Sequence, residues 1–372
     1  MKRKRGGSAR SGKRPNPTGL LLEALNIYSP TGNESRLAAY LSGCMRDLGY
    51  SKIREDGAGN AIGEIGEGRQ TLMLCGHMDT VPGKLPVGMS EGRIHGRGAA
   101  DAKSPLCALL LAGAQSADSG LRITFAGVTE EEGDGAGITN LMRRMPRYDY
   151  AIFGEPGGAS KVTVGYRGRV SVSLTVKTKG GHASSPWAYM SAFAEFESAL
   201  ARLKDYENSV STPDSHFNSV SITPTIIRAG DFHNVLPRFC ESTLDVRIPP
   251  GMRSTEVVEG MRGAVGKGGD DVVVTMSAGE PTEPYLADPG SNLVRAFQRA
   301  ILTRLQSRPV FARKTGTGDM NTFASRSHAQ CVTYGPGLLR TSHSEAEAVD
   351  VKDYLDSIEV LKEAIRELGS RT

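Results

Sequence analysis

The cysteines of this 372-residue chain are few: Cys44, Cys75, Cys107, Cys240 and Cys331 are odd in number and widely separated. That scarcity excludes a disulfide framework and a CxxC thiolate metal site, leaving reduced, mostly buried thiols. Long apolar runs are missing as well. The longest, "LCALLLAGA", is too short and too rich in small residues to cross a bilayer, and nothing resembles a signal peptide. We therefore expect a cytoplasmic protein with no membrane partner. An excess of one charge is lacking in the body of the chain, because the formal net charge of +4 originates in "MKRKRGGSARSGKR", with seven basic residues and no acid. Subtracting those seven from 45 leaves 38 basic against 41 acidic residues, a balance of −3 that argues against a nucleic-acid groove. The basic arm, taken as residues 1–17, reads as a disordered solubilising extension, with electrostatic docking to an acidic partner as the alternative.

What is present fits a globular protein: 38% hydrophobic and 23% charged residues, with 45 glycines pointing to many tight turns. The length suffices for a substantial core and suggests two domains. Through the first part, apolar runs alternate with helical periodicity: a helix near 34–48, a strand at 71–75, a helix at 103–117, and strands at 121–128 and 149–153. This is an α/β pattern with a mainly parallel central sheet. From about 165 the texture changes to "RVSVSLTVKTKG", the strict alternation of an antiparallel sheet with one wet face, followed by a helix beginning at "SSPWAYM" and a strand at 272–277. Residues 165–277 thus read as an inserted α+β domain between two parts of a first domain, 18–164 and 278–372. The closing helix, 350–368, puts Val351, Leu355, Ile358, Leu361, Ile365 and Leu368 on one stripe.

The chemistry gathers at the ends of the apolar runs. "GHMDTVPG" follows "TLMLC" and sets His77 and Asp79 two positions apart, on one side of a strand if the strand continues, where a carboxylate would fix the tautomer of a metal-binding imidazole. Taken alone, such a pair is also compatible with a surface turn. Four more segments offer oxygen or nitrogen ligands: "GRGAADAK" with Asp101, "TEEEGDG" with Glu130, Glu131 and Glu132, "FGEPGG" with Glu155, and "TSHSEAE" with His343. Each has an ordinary reading as a loop or solvated acidic turn. In an α/β sheet, however, functional groups gather in loops at the carboxyl ends of the strands, so distant clusters can converge. Two histidines with several carboxylates and no thiolate suit Zn²⁺ or another divalent first-row metal, and a bridged pair of ions would use more of the ligands than one tetrahedral site.

Taken in order, "GHMDTVPG", "GRGAADAKSP", "TEEEGDGAG", "FGEPG", "GHASSP", "NVLP", "DVRIP" and "TSHSEAE" resemble the dinuclear-metal aminoacylase and carboxypeptidase family that includes acetylornithine deacetylase and succinyl-diaminopimelate desuccinylase. The resemblance spans residues 18–368. Within the family, "GRGAADAKSPLCA" and "RKTGTGDMN" are most similar to hydrolases that release lysine or ornithine from the amino-group carrier protein LysW. It implies two divalent metal ions per subunit, Zn²⁺ or Co²⁺, with His77 and Glu155 on one, Glu132 and His343 on the other, and Asp101 bridging. It also implies Asp79 behind His77, Glu131 as general base, and a cis peptide after Asp101. His182 in "GHASSP" matches a histidine that reaches across a homodimer into the neighbouring site. Asn234 and Arg247 match substrate contacts, a guanidinium being suited to an α-carboxylate. The segment "RKTGTGDMNTFA" would line the amino-acid pocket through Lys314, Thr315, Thr317, Asp319 and Asn321, with Asp319 selecting a cationic side chain. Ser104 departs from the commoner "DxKG" pattern. The implied activity is metallo-amide hydrolysis in lysine or arginine biosynthesis. Acetylornithine deacetylase, desuccinylase and broad dipeptidase are rivals, and a catalytically dead carrier-binding scaffold is an alternative of another class.

Overall fold

The computed structural model describes residues 16–143, 147–269 and 271–370. Most of the basic arm, residues 1–15, lies outside them. Its last two positions do not belong to an arm: Asn16 caps the helix Pro17–Asn26, its side chain accepting from the Gly19 N–H at 3.2 Å, with Pro17 in the first helical position.

Among the described residues the main sheet has nine strands, and its centre is parallel. Thr71–His77 lies between Arg122–Val128 and Tyr150–Gly154, parallel to both, and Tyr150–Gly154 runs parallel to Gln330–Thr333 on its other side. Antiparallel strands Ala61–Ile65 and Ser51–Glu55 extend one edge. Every residue of Thr71–His77 is buried, as helices on both faces require. On one face the helix Lys103–Ala114 packs on that strand and against Pro17–Asn26 and Val351–Gly369. The two layers come close because Gly76 lacks a side chain: a Cβ there would stand 3.1 Å from Leu106 Cδ1. On the other face Ile138, Leu141, Met320 and Phe323 cover Met73, Cys75 and Phe153.

A second sheet is antiparallel, ordered Ser221–Ala229, Phe239–Ile248, Gly168–Thr178, Val272–Ala278. The strict alternation that begins at Gly168 buries Val170, Val172, Leu174 and Val176 beneath the helices Ala192–Val210 and Ser254–Val265, with Phe196, Leu203, Val257 and Met261 completing a separate core. Two expectations need correction. The helix does not begin at "SSPWAYM": residues 182–188 form consecutive turns, with Ser185 N–H donating to His182 O and Ala188 N–H to Ser185 O. It starts at Ala192 behind the Ser191 cap, since Trp187, Tyr189 and Met190 are exposed and offer no stripe to pack. In the closing helix, Leu355 is exposed and Tyr354 occupies the buried stripe.

The chain crosses between the sheets twice, near Arg167 and near Glu283. The crossings pair with each other, Arg169 and Thr282 exchanging both backbone hydrogen bonds at 2.8 Å. Asn321, fully buried, fastens them: its amide donates to Arg167 O at 3.2 Å and Glu283 O at 2.9 Å, while its oxygen accepts from Gly318 N–H at 3.1 Å. Expected as a pocket-lining residue, Asn321 spends its amide and its oxygen on backbone here.

Candidate metal centre

Three adjacent parallel strands end at one level, so their carboxyl-end residues meet without further design. His77 is the last residue of its strand and pairs in register with Val128, while Gly76 pairs with Gly154. One step beyond those partners lie the Thr129–Glu132 turn and Glu155. The fourth strand, Gln330–Thr333, leads into the loop that carries His343, and Asp101 sits at the start of the buried helix Lys103–Ala114.

These side chains form two groups, each with ligand atoms within 4.8 Å of one another: His77, Glu131 and Glu155, and Asp101, Glu132 and His343. Asp101 joins the groups. Its Oδ1 lies 3.4 Å from His77 Nε2 and its Oδ2 lies 3.3 Å from His343 Nε2, so one carboxylate faces both imidazoles with different oxygens. His343 Nε2 is 2.7 Å from Glu132 Oε1, and His77 Nε2 is 3.9 Å from Glu155 Oε1. One His77 nitrogen is fixed by its neighbour: Nδ1 is 3.0 Å from the Asp79 carbonyl, which can only accept, so Nδ1 carries a proton and Nε2 is the nitrogen turned to Asp101.

Asp79 does more than stand behind His77. Its carboxylate is fully buried, lies 3.4 Å from His77 Nδ1, and accepts from Glu131 N–H at 3.1 Å, Glu132 N–H at 3.0 Å and Thr31 Oγ1 at 2.9 Å. One carboxylate thus fixes the backbone of both Glu131 and Glu132. The Asp101–Ala102 peptide is cis, as the resemblance implied. Gly98, with φ of 89°, lets the preceding loop turn close against Lys103. Ser104 fits the helix start: its hydroxyl donates to Ala99 O at 2.6 Å.

The electrostatics suit cations. Asp79, Asp101, Glu131, Glu132, Glu155 and Asp319 converge around two imidazoles and one ammonium, that of Lys314, 3.8 Å from Glu155 Oε2. Burial, reinforced by neighbouring carboxylates, raises Glu131 well above the ordinary carboxylate range and raises Glu132, Glu155 and Asp319, the last to about 7. Hydrogen bonding to Asp101, with Glu132 close by, pushes His343 up to about 9. A nitrogen and oxygen donor set with this surplus of negative charge is the chemistry of a divalent-metal site, and the residues present fit two ions.

The remaining expected residues divide. Lys314 is half-buried beside the cluster, donating to Pro156 O at 3.3 Å with its ammonium 5.5 Å from the Tyr166 ring centroid. Asp319 lies against Cys75, His77 and Glu155 around a cavity of about 10 Å³. Thr317 is half-buried and Thr315 exposed on the intervening loop. His182, Asn234 and Arg247 belong to the second sheet and its loops, and their hydrogen bonds stay there. His182 Nδ1 pairs with Ser184 Oγ at 2.8 Å, Asn234 O accepts from Ala183 N–H, and the Arg247 fork lies on Asp245, with Nε at 2.6 Å. Two residues escaped the sequence reading, Glu347 and Arg97, whose buried side chains pair at 2.7 Å behind Asp101. A faint signal existed: Glu347 and Val349 alternate with the less buried Ala348 and Asp350.

The profile of Peptidase family M20/M25/M40 matches residues 73–367. A Pyrobaculum aerophilum protein provisionally named a LysW-lysine/LysW-ornithine hydrolase is 36% identical over 357 residues, covering 94% of this chain and 97% of that protein. The LysW-lysine/LysW-ornithine hydrolase of Sulfurisphaera tokodaii is 31% identical over 349 residues, covering 94% of each. Among solved structures, the aminopeptidase PepT of Bacillus cereus superposes with a TM-score of 0.80 at 19% identity, covering 95% of this chain and 99% of that one.

Proposed function

This chain belongs to peptidase family M20/M25/M40, and from that premise we propose that it is a metal-dependent amide hydrolase freeing lysine or ornithine from the terminal glutamate side chain of the carrier protein LysW. One observation carries the chemistry: the Asp101 carboxylate turns one oxygen to each of two histidines, with a glutamate beside each. In this reading His77 and Glu155 hold one cation, Glu132 and His343 the other, and Asp101 is shared; zinc and cobalt both suit the donors. Such cations supply Lewis-acid polarisation of the amide carbonyl and a water acidic enough to lose a proton near neutral pH. Glu131 takes that proton and returns it to the departing α-amine, its backbone held in reach by Asp79. Burial that raises the Glu131 pKa suits a group that must also act as an acid.

The substrate assignment rests on the relatives' names and on the "RKTGTGDMN" segment beside the cluster. Lys314 and Thr317 stand at the edge of the centre, where they meet the substrate. Asp319, in a cavity with room for one water at most, favours a cationic product through its charge. The metal-holding body comprises 18–164 and 278–372 and the inserted unit 165–277, in keeping with their separate cores. The inserted unit serves a homodimer in which His182 reaches into the neighbouring site, and Asn234 and Arg247 meet substrate. Exposed Trp187 and Phe232 near His182, and Ile226 and Ile227 on the edge strand Ser221–Ala229, support that role. Among the described residues no helix is long and apolar enough to cross a membrane, and a biosynthetic role of this kind belongs in the cytoplasm.

The test offers purified protein LysW-linked lysine, LysW-linked ornithine and N-acetylornithine, with Zn²⁺ or Co²⁺, and compares rates. Activity confined to N-acetylornithine refutes the carrier assignment. Turnover unaffected by chelation refutes the metal reading. Mixing Glu131→Gln and His182→Ala variants should restore part of the activity if each site uses the partner's histidine.

A further inference from the structure

Glu347 lies four residues after His343, and its side chain is buried to 1% exposure. Its Oε1 accepts three backbone N–H groups of one loop, from Gly98, Ala100 and Asp101, each at 3.0 Å. Its Oε2 accepts from Arg97 Nη1 at 2.7 Å. Arg97, also buried, extends the network: Nη1 donates to Ser344 O at 3.1 Å as well, and Nε to Gly83 O at 2.9 Å. The pair thus touches the backbone beside Asp101, beside His343 and in the loop that follows His77 and Asp79.

A buried ion pair is poor evidence for stability as such, because desolvation offsets most of its attraction. This one lies where three loops must keep a fixed separation. The short ladder beneath it, Ala348–Asp350 against Arg93–His95, ends as the loops begin, with Gly96 N–H donating to Glu347 O at 3.3 Å. Beyond that point the Glu347 and Arg97 side chains tie the Asp101 loop to the backbone of the His343 loop. Both Glu347 oxygens are occupied by donors, so it is no additional metal ligand. Its charge is met by Arg97, so it adds nothing to the surplus of anions at the centre.

We propose that the Glu347–Arg97 pair is a positioning device that sets the separation of Asp101 and His343, and thereby the affinity of the second metal position. The proposal rests on the dimetal reading above. Groups behind metal ligands typically contribute about 10–100-fold to metal affinity. The fork of Arg97 reaches three acceptors where a lysine would reach fewer.

The experiment is a titration of chelator-stripped full-length protein with Co²⁺, followed by calorimetry and by the visible spectrum of the bound ion, for wild type, Glu347→Gln and Arg97→Lys. The first equivalent should lose less affinity than the second in both variants. The second should weaken by about 10–100-fold in Glu347→Gln and in the same direction, by less, in Arg97→Lys. Excess Co²⁺ should restore kcat with KM unchanged, which a merely structural defect would not allow. Should Glu347→Gln fail to fold, Arg97→Lys decides. Folded variants that take up both equivalents with wild-type affinity overturn the positioning role alone. A wild type that takes up fewer than two equivalents overturns the dimetal reading as well.

Discussion

Replacing Asp79 by asparagine changes one oxygen to an amide nitrogen and nothing in volume, at a side chain with no exposure to the cleft. The two backbone donors it serves are on different oxygens, Glu131 N–H on Oδ1 and Glu132 N–H on Oδ2. In either orientation the amide can therefore satisfy only one of them, and its NH₂ faces the other. An unmet buried donor costs about 1–3 kcal/mol, and about 1.4 kcal/mol is tenfold in rate or affinity. If that strain relaxes by moving the Glu131–Glu132 turn, kcat should fall by about 10–100-fold, with KM nearly unchanged because Asp79 meets no substrate. Asp79→Ala leaves both donors and the Thr31 hydroxyl without that acceptor and should be worse in both stability and rate. The assay is steady-state kinetics at saturating metal, with bound metal measured on the same samples. A folded Asp79→Asn enzyme within twofold of wild-type kcat would refute the claim that this carboxylate holds the base in place.

Glu131→Gln keeps the size of the proposed base and removes its proton acceptor. kcat should drop by about 10²–10⁴-fold while two metal equivalents are retained, and loss of metal instead would make Glu131 a ligand. Asn321→Leu leaves two crossing carbonyls and the Gly318 N–H without their partner, so the urea midpoint should correspond to a loss of about 2–4 kcal/mol; unchanged stability would show that the crossings are held by other contacts. Asp245 has its pKa lowered against burial by Arg247 and Arg169. A depressed folded-state value means its contribution is present above the ordinary carboxylate range and lost as pH falls through the folded value. Asp245→Asn should be less stable than wild type at pH 7, with the difference shrinking in acid, and a pH-independent difference would exclude the ion pair as its source.

The local codes were strong where one physical signal dominated. Period-two alternation marked Gly168–Thr178, and the apolar run "TLMLC" marked Thr71–His77, so the parallel centre, the antiparallel sheet and the order of the histidine- and carboxylate-bearing loops could be read in advance. The helix expected at "SSPWAYM" failed because serine and proline mark turns as readily as helix starts, and only burial distinguishes them. The roles of Glu347, Asn321 and the Asp79 carboxylate were out of reach for a different reason. Each acts on backbone groups close in space but far along the chain: Glu347 on the Gly98–Asp101 loop, Asn321 on Arg167 and Glu283 at once.

Sequence alone determined which atoms were available: imidazoles and carboxylates at the ends of apolar runs, without thiolates, in an order that named the family. The tertiary structure decided what those atoms face. That Asp101 turns one oxygen to His77 and the other to His343 depends on register between strands and on where three loops close, and register follows from packing summed over the whole sheet rather than from any local segment.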